Sequence, residues 1–162
     1  DTRLSRGLGD VYKRQANGNY INSILALREA LDAGCEEALL LDNEGYVAEG
    51  SGENVFIVRD GTIYTPELTS CLEGITRDSI FKIAADLGYQ IKERRITRDE
   101  VYVADEAFFT GTAAEVVPIR ELDGRAIGSG SRGPLTEQVQ SIYFDTVRGR
   151  ESQYGAWLTP VS

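Results

Sequence analysis

Apolar and polar positions alternate with two clear periods along this chain, and the changeovers between them mark its elements. In NYINSILALREALDAG, residues 19 to 34, Ile21, Ile24, Leu25, Leu27 and Leu31 recur at helical spacing and Gly34 follows the last of them, predicting an amphipathic helix with a glycine stop. The runs EALLLD and YVAEG flank Asp42, Asn43 and Gly45 and predict two short strands about a tight turn. NVFIVRDGTIYT repeats this device around Asp60-Gly61, a strong hairpin signal because both central residues of such a turn favour positive φ. TRDSIFKIAADLG predicts a second helix, with Thr76 as N-cap, an apolar face at Ile80, Phe81, Ile83, Ala84 and Leu87, and Gly88 as stop.

The remaining third continues the alternation. YQIKERRI reads as a strand with solvent-facing charges, and TRDE at 97 to 100 has capping-box form, predicting a short helix through Val101 to Ala104. EAFFTGTAAEVVPI reads as a strand that breaks at Gly111 and resumes near Glu115, leaving backbone open in the gap. RELDGRAIG predicts another Asp-Gly hairpin, and GPLTEQVQSIYFDTVRG a last helix with Pro134 in its first turn and Gly149 at its end. Hairpins mixed with crossovers predict an α/β domain bordering on α+β, built on a mixed sheet.

Composition narrows what such a domain can do. At 162 residues and 41% hydrophobic content the chain suits one domain with a true core. A net charge of −9 argues against nucleic acid and anionic membrane surfaces as partners, and no apolar run spans a bilayer. Cys35 and Cys71 lack metal-ligand spacing and point to a reducing, cytoplasmic setting. Histidine is absent, which removes Ser-His and Cys-His catalysis and His-ligated zinc. The chemistry left must use carboxylates, Lys, Tyr or a cofactor. Residues 1–15, basic and glycine-bearing with no helical or strand period, read as a non-native or disordered leader, and 16–162 as the domain.

Three segments carry candidate chemistry. In AEGSGENVF, Glu49 and Glu53 flank a Gly-Ser-Gly turn where a carboxylate could pair with a cationic ring nitrogen, although a solvated acidic turn explains the pattern as well. In LEGITRDS, a glycine before a helix start leaves N–H groups near Gly74, Ile75 and Thr76 facing outward beside the positive dipole end, which suits a phosphate; an ordinary capped helix reads the same way. In FFTGTAAE, Thr112 and the small Ala113 and Ala114 allow an anion close to the main chain, or simply a tight strand crossing.

Resemblance then adds what spacing cannot. GNYINSILA, EALLLDNEGYVAEGSGENVFIVRDG, TPELTSCLEGITRD and ADEAFFTGTAAEVVPI, with the later SRGP and YGAWL, resemble in order and spacing the carboxy-terminal domain of branched-chain amino acid aminotransferases, class IV enzymes dependent on pyridoxal 5'-phosphate. D-amino acid aminotransferases and aminodeoxychorismate lyases share the pattern less closely. The resemblance implies that Tyr20 hydrogen-bonds the phenolic oxygen of the cofactor, Glu49 holds its ring nitrogen protonated and Leu72 packs on the ring. It also assigns Ile75, Thr76 and Thr112 to the phosphate, and backbone donors of Thr112 and Ala113 to the substrate carboxylate. The implied reaction moves the amino group of leucine, isoleucine or valine to 2-oxoglutarate, in a full-length protein that forms homo-oligomers and has an amino-terminal domain besides.

One position departs from the pattern. The family's Schiff-base lysine stands five residues before the GNY tyrosine, and here that place holds Gln15, whose amide is not nucleophilic. Lys13 is two residues early, a displacement of roughly 6 to 7 Å along a strand. The expectation is an inactive chain with no intact catalytic residue, or, in a different class, a non-catalytic pyridoxal-phosphate-binding module.

Overall fold

The computed structural model describes residues 20–159, so Lys13, Gln15 and the leader lie outside the described residues. The alternating sequence builds a mixed five-stranded sheet in the order β5-β4-β3-β6-β7. Its strands are β3 (Asn54–Arg59), β4 (Thr62–Thr65), β5 (Ile91–Glu93), β6 (Glu106–Gly111) and β7 (Glu115–Pro118). All neighbours pair antiparallel except β4 and β5, which are parallel because helix α2 (Ile75–Asp86) provides the crossover between them. A two-stranded ribbon, β1 (Leu39–Leu41) with β2 (Val47–Gly50), precedes the sheet, and a second ribbon, β8 (Glu121–Leu122) with β9 (Arg125–Ala126), follows it. The α/β class with a mixed sheet is therefore the observed one.

Strand β3 is buried on both faces, which its uninterrupted apolar run VFIV requires. Phe56 and Val58 point into a layer completed by Phe108 of β6, Ile80, Ile83 and Ala84 of α2, and Leu135, Val139 and Tyr143 of helix α4 (Pro134–Val147). Val55 and Ile57 point the other way, into a cluster with Val47, Ile96, Val101, Phe109 and Ile127. Period-2 alternation thus feeds two cores from one strand.

The turns follow their residues. Asp60 and Gly61 take φ of 50° and 71°, as Asp123 and Gly124 take 50° and 73°, so both Asp-Gly hairpins form as expected. Gly88, at φ 81°, ends α2 in a Schellman arrangement, with Tyr89 N–H donating to Ala84 O and Gly88 N–H to Ala85 O. Thr97 and Glu100 complete the reciprocal capping box of α3, which spans Arg98–Tyr102 rather than Val101 to Ala104 because the box sets its first turn directly after Thr97.

Three expectations need correction. Thr76 is not the cap of α2: Gly74 holds the N-cap position with no side-chain hydrogen bond, and Thr76 lies two residues inside the helix with its side chain buried. The segment EAFFTGTAAEVVPI is not one interrupted strand but a hairpin, β6 against β7 with Gly111 opposite Glu115, because the small residues reverse the chain instead of merely loosening it. The strand in YQIKERRI shortens to the three residues of β5. Helix α1, 20–32 among the described residues, exposes Ile21, Ile24 and Leu25 by 59 to 63%, so its apolar face meets no partner there.

Glu106 is a buried carboxylate that pattern reading passes over. It accepts hydrogen bonds from the N–H groups of Leu135 (3.0 Å) and Thr136 (2.7 Å), capping α4 from a neighbouring strand. Gly133 permits this approach, since a Cβ there would run into the Glu106 carboxyl. Glu106→Gln is expected to lower unfolding free energy by about 2 kcal/mol, the worth of a charge-assisted bond pair partly retained by an amide. Urea denaturation of the two proteins checks it.

Candidate active site

Strand direction brings the candidate segments to one end of the sheet. β3 begins where β6 ends, with Asn54 opposite Thr110, and β4 runs back so that the Thr65 hydroxyl donates to Val55 O at 2.8 Å. The turn after β2, the 66–74 loop after β4 and the turn after β6 therefore meet at the same edge.

Specific bonds join them. Leu72 N–H donates to Glu49 Oε2 at 2.9 Å, while the carbonyl of the same residue accepts from Asn54 Nδ2 at 2.7 Å. Leu72 is thus held on both sides of its backbone, and its side chain stays exposed. Gly74 packs against Asn54 Oδ1 so tightly that any Cβ would collide with it. Arg77, buried in the first turn of α2, donates to Pro66 O at 3.2 Å and faces Glu93 at 3.4 Å, and Ser70 Oγ donates to Asp42 Oδ2 at 3.2 Å. The loop is consequently anchored at Pro66, Ser70 and Leu72, which delivers it to α2 in one fixed shape.

At that entry α2 has its first N–H groups uncapped by any side chain, with Asp78 in the first turn beside the positive dipole end. Across the site, a Cβ on Gly111 would lie 3.1 Å from Gly52 O and 3.3 Å from Glu53 Cγ, so the β6–β7 turn rests directly on the β2–β3 turn. Thr112 and Ala113 are exposed at its tip. Thr110, just inside, buries a hydroxyl with no hydrogen-bond partner among the described residues. The chemistry of this donor set is definite: one carboxylate able to face a cation, one uncapped helix start and one exposed glycine-threonine turn able to face anions.

Glu49, Leu72 and the 74–76 helix start are joined by these contacts, and Thr112 and Ala113 reach the same edge through Gly111. Tyr20 is not drawn in by any described hydrogen bond; it is the first described residue of α1 and is half exposed. Asn54 is the residue sequence reading missed, and its signal was a single amide opening an otherwise apolar strand. A cleft of about 900 Å³ lies nearby between α1, β1 and the β8–β9 ribbon, and includes Glu53 and Ala114 but none of the residues expected to bind cofactor. That cleft follows from α1 standing clear of the sheet, so donor chemistry, not concavity, locates the candidate site. Burial pushes the Cys71 thiol above its ordinary range, which makes it a poor nucleophile. No group of three or more His, Cys, Asp or Glu among the described residues is placed to hold a metal.

The fold and the site together define a mixed α/β domain whose strand ends gather a carboxylate, a helix start with no side-chain cap and an exposed glycine-threonine turn. The model for amino-transferase class IV matches residues 10–122, and the chain belongs to that family. It is 62% identical over 149 residues to a branched-chain-amino-acid aminotransferase of Pseudomonas aeruginosa, covering 92% of this chain and 48% of that protein. A probable branched-chain-amino-acid aminotransferase of Aquifex aeolicus is 52% identical, covering 89% and 47%. Among solved structures, the branched-chain amino acid aminotransferase from Thermoproteus uzoniensis with norvaline superposes with a TM-score of 0.86 at 53% identity, covering 90% of this chain and 48% of that one. The Thermobaculum terrenum enzyme in its PLP form gives 0.87 at 47% identity, covering 90% and 48%. The chain spans about half the length of the curated relatives it matches.

Proposed function

We propose that residues 16–162 are the cofactor-binding domain of a branched-chain amino acid aminotransferase, with pyridoxal 5'-phosphate the cofactor. The whole protein would transfer the amino group of leucine, isoleucine or valine to 2-oxoglutarate, as a cytoplasmic homo-oligomer. The observation that carries this reading is the Leu72 N–H bond to Glu49 at 2.9 Å, which couples the Glu49 carboxylate to the loop that enters the uncapped α2. The names of the relatives favour the branched-chain activity over D-amino acid transamination or aminodeoxychorismate cleavage.

When bound, the cofactor supplies an electron sink for the substrate α-carbon. Glu49 would keep its ring nitrogen protonated, because an adjacent anion favours the cationic form. Tyr20 would hydrogen-bond its phenolic oxygen and the Leu72 side chain would pack on its ring. The N–H groups of Ile75 and Thr76, with the hydroxyls of Thr76 and Thr112, would hold its phosphate, and backbone donors of Thr112 and Ala113 the substrate carboxylate. Gln15 offers no amine to carry a proton, so the chain as it stands lacks the catalytic base.

The test is a hybrid that joins residues 16–162, preceded by Lys in place of Gln15, to the amino-terminal half of the Pseudomonas aeruginosa relative. Glutamate formation from leucine and 2-oxoglutarate is expected only when the Gln15→Lys change is present. Failure of the lysine-bearing hybrid beside an active full-length relative would remove the main support for this reading. Gln15 itself favours one second reading, a non-catalytic pyridoxal-phosphate-binding module; cofactor binding by the unaltered chain together with inactivity of both hybrids would favour it.

A further inference from the structure

Glu53 occupies a place in this site that no assigned role explains. Its carboxyl and that of Glu37 accept from the adjoining N–H groups of Gly52 and Ser51, which sets the two acids side by side, and two such groups can bond only by sharing a proton. Glu37 Oε1 already accepts from the N–H groups of Ala38 (2.7 Å) and Ser51 (3.2 Å), and Glu53 Oε2 accepts from Gly52 N–H at 3.1 Å. Both carboxyls therefore grip the backbone of the same glycine turn. The stem of Glu53 also fills the space beside Gly111, where a Cβ would lie 3.3 Å from Glu53 Cγ, and its Oε2 lies 2.8 Å from a Cβ placed on Gly50. Glu53 is wedged between the turn that follows Glu49 and the turn that carries Thr112.

We propose that Glu53 is a positioning residue of this site: wedged between the 50–52 turn and Gly111, its carboxyl in the acid form donates to Glu37, clamps the turn against Gly111 and so sets Glu49 and Thr112 relative to each other. The inference rests on the functional reading above for the meaning of Glu49 and Thr112. Loss of the proton to solvent leaves two anions facing one another, and the clamp opens.

The surroundings favour the protonated form. Burial is the main influence raising the Glu53 carboxyl above its ordinary value of 4.5, opposed by the Gly52 N–H bond and reinforced by the charges of Glu37 and Glu49. Other ionisable groups nearby are Glu36 beside Glu37, Glu115 across from Gly111, and, around the shared cleft, Glu29, Arg98, Glu121 and Asp123. Arg120 and Arg132 also line that cleft, but Arg120 is engaged with Glu36 and Arg132 with Glu137. The sign follows directly. An acid whose folded-state value is raised adds stability below about 4.5, and that stability is lost as pH rises through the folded-state value.

The test is an NMR pH titration of the whole 162-residue chain, its Glu53→Gln and Glu53→Ala variants and Glu37→Gln. Amide signals of Gly52, Gly111 and Thr112 are expected to move together with one midpoint above 4.5 in the wild type. In Glu53→Gln, whose amide can donate to Glu37 at every pH, they should stay near their low-pH wild-type positions, and Glu37→Gln should lower the midpoint. A spacer role alone would give displaced signals in Glu53→Ala without titration and without rescue by Gln. Signals of Gly111 and Thr112 that do not titrate in the wild type, or that titrate identically in Glu53→Gln, would overturn the proposal. Pyridoxal phosphate affinity, read by absorbance, should fall roughly tenfold more steeply across the midpoint in the wild type than in Glu53→Gln, corresponding to about 1.4 kcal/mol. A wild-type chain that binds no pyridoxal phosphate would count against the functional reading and leave the titration result to decide on Glu53.

Discussion

Phe56→Ala is expected to lower the unfolding free energy of the chain by about 4 kcal/mol, the cost of removing a fully buried aromatic side chain and leaving a cavity. Phe56 has no exposed surface, stacks on Phe108 of the paired strand at 5.0 Å between ring centroids and meets Phe81 of α2 edge-on at 6.2 Å. It is where the central strand, the second strand and the crossover helix share one contact, so α2 cannot collapse into the gap without losing its seat on the sheet. Phe56→Leu, which keeps most of the volume, should cost roughly half as much or less. Urea denaturation measures both; a loss below about 1 kcal/mol for the Ala variant would show that the layer repacks and that Phe56 is not its centre. Because Asn54 stands two residues before Phe56 on the same strand, the damage should also reach the loop that Asn54 holds at Leu72.

In the lysine-bearing hybrid, Glu49→Gln is expected to reduce turnover by roughly 10- to 1,000-fold, the range spanned by a nearby carboxylate's effect on a cationic partner. The amide keeps an oxygen able to accept from Leu72 N–H, so the loop geometry should survive while the negative charge does not. Glu49→Asp keeps the charge, withdraws it by one methylene and should fall between the two. Steady-state kinetics with leucine separates the outcomes. A fall in kcat with little change in unfolding midpoint marks an electrostatic role, whereas a Glu49→Gln hybrid as active as its parent would remove the ring-nitrogen assignment.

Much of the fold is readable in the chain because its signals are local. Asp60-Gly61 and Asp123-Gly124 adopt positive φ at the tips of their tight hairpins, and Thr97 with Glu100 satisfies a capping box within four residues. Thr76 departs from expectation because capping preference is also local but here yields to packing: Asn54 presses on Gly74, draws the cap position back to it and buries the threonine. The β6–β7 reversal is hidden from pattern reading because small residues mark both a loose strand and a turn, and only pairing of Gly111 with Glu115 decides between them. For the candidate site, Glu49 and the helix entry at Ile75 and Thr76 are legible as motifs, whereas Asn54 and Glu106 are not, since each works on a partner at least 18 residues away.

Hydrophobic period, turn residues and family motifs, all properties of neighbouring residues, by themselves determined the order of elements, the mixed α/β class and the residue types available for chemistry. The tertiary structure decided which of those residues meet. Antiparallel pairing of β3 with β4 and β6 brings residues 49–54, 66–76 and 110–113 to one sheet edge, and hydrogen bonds from Leu72 to Glu49 and from Asn54 to Leu72 hold two of them together. Such contacts depend on register and burial between distant segments, which no local pattern encodes.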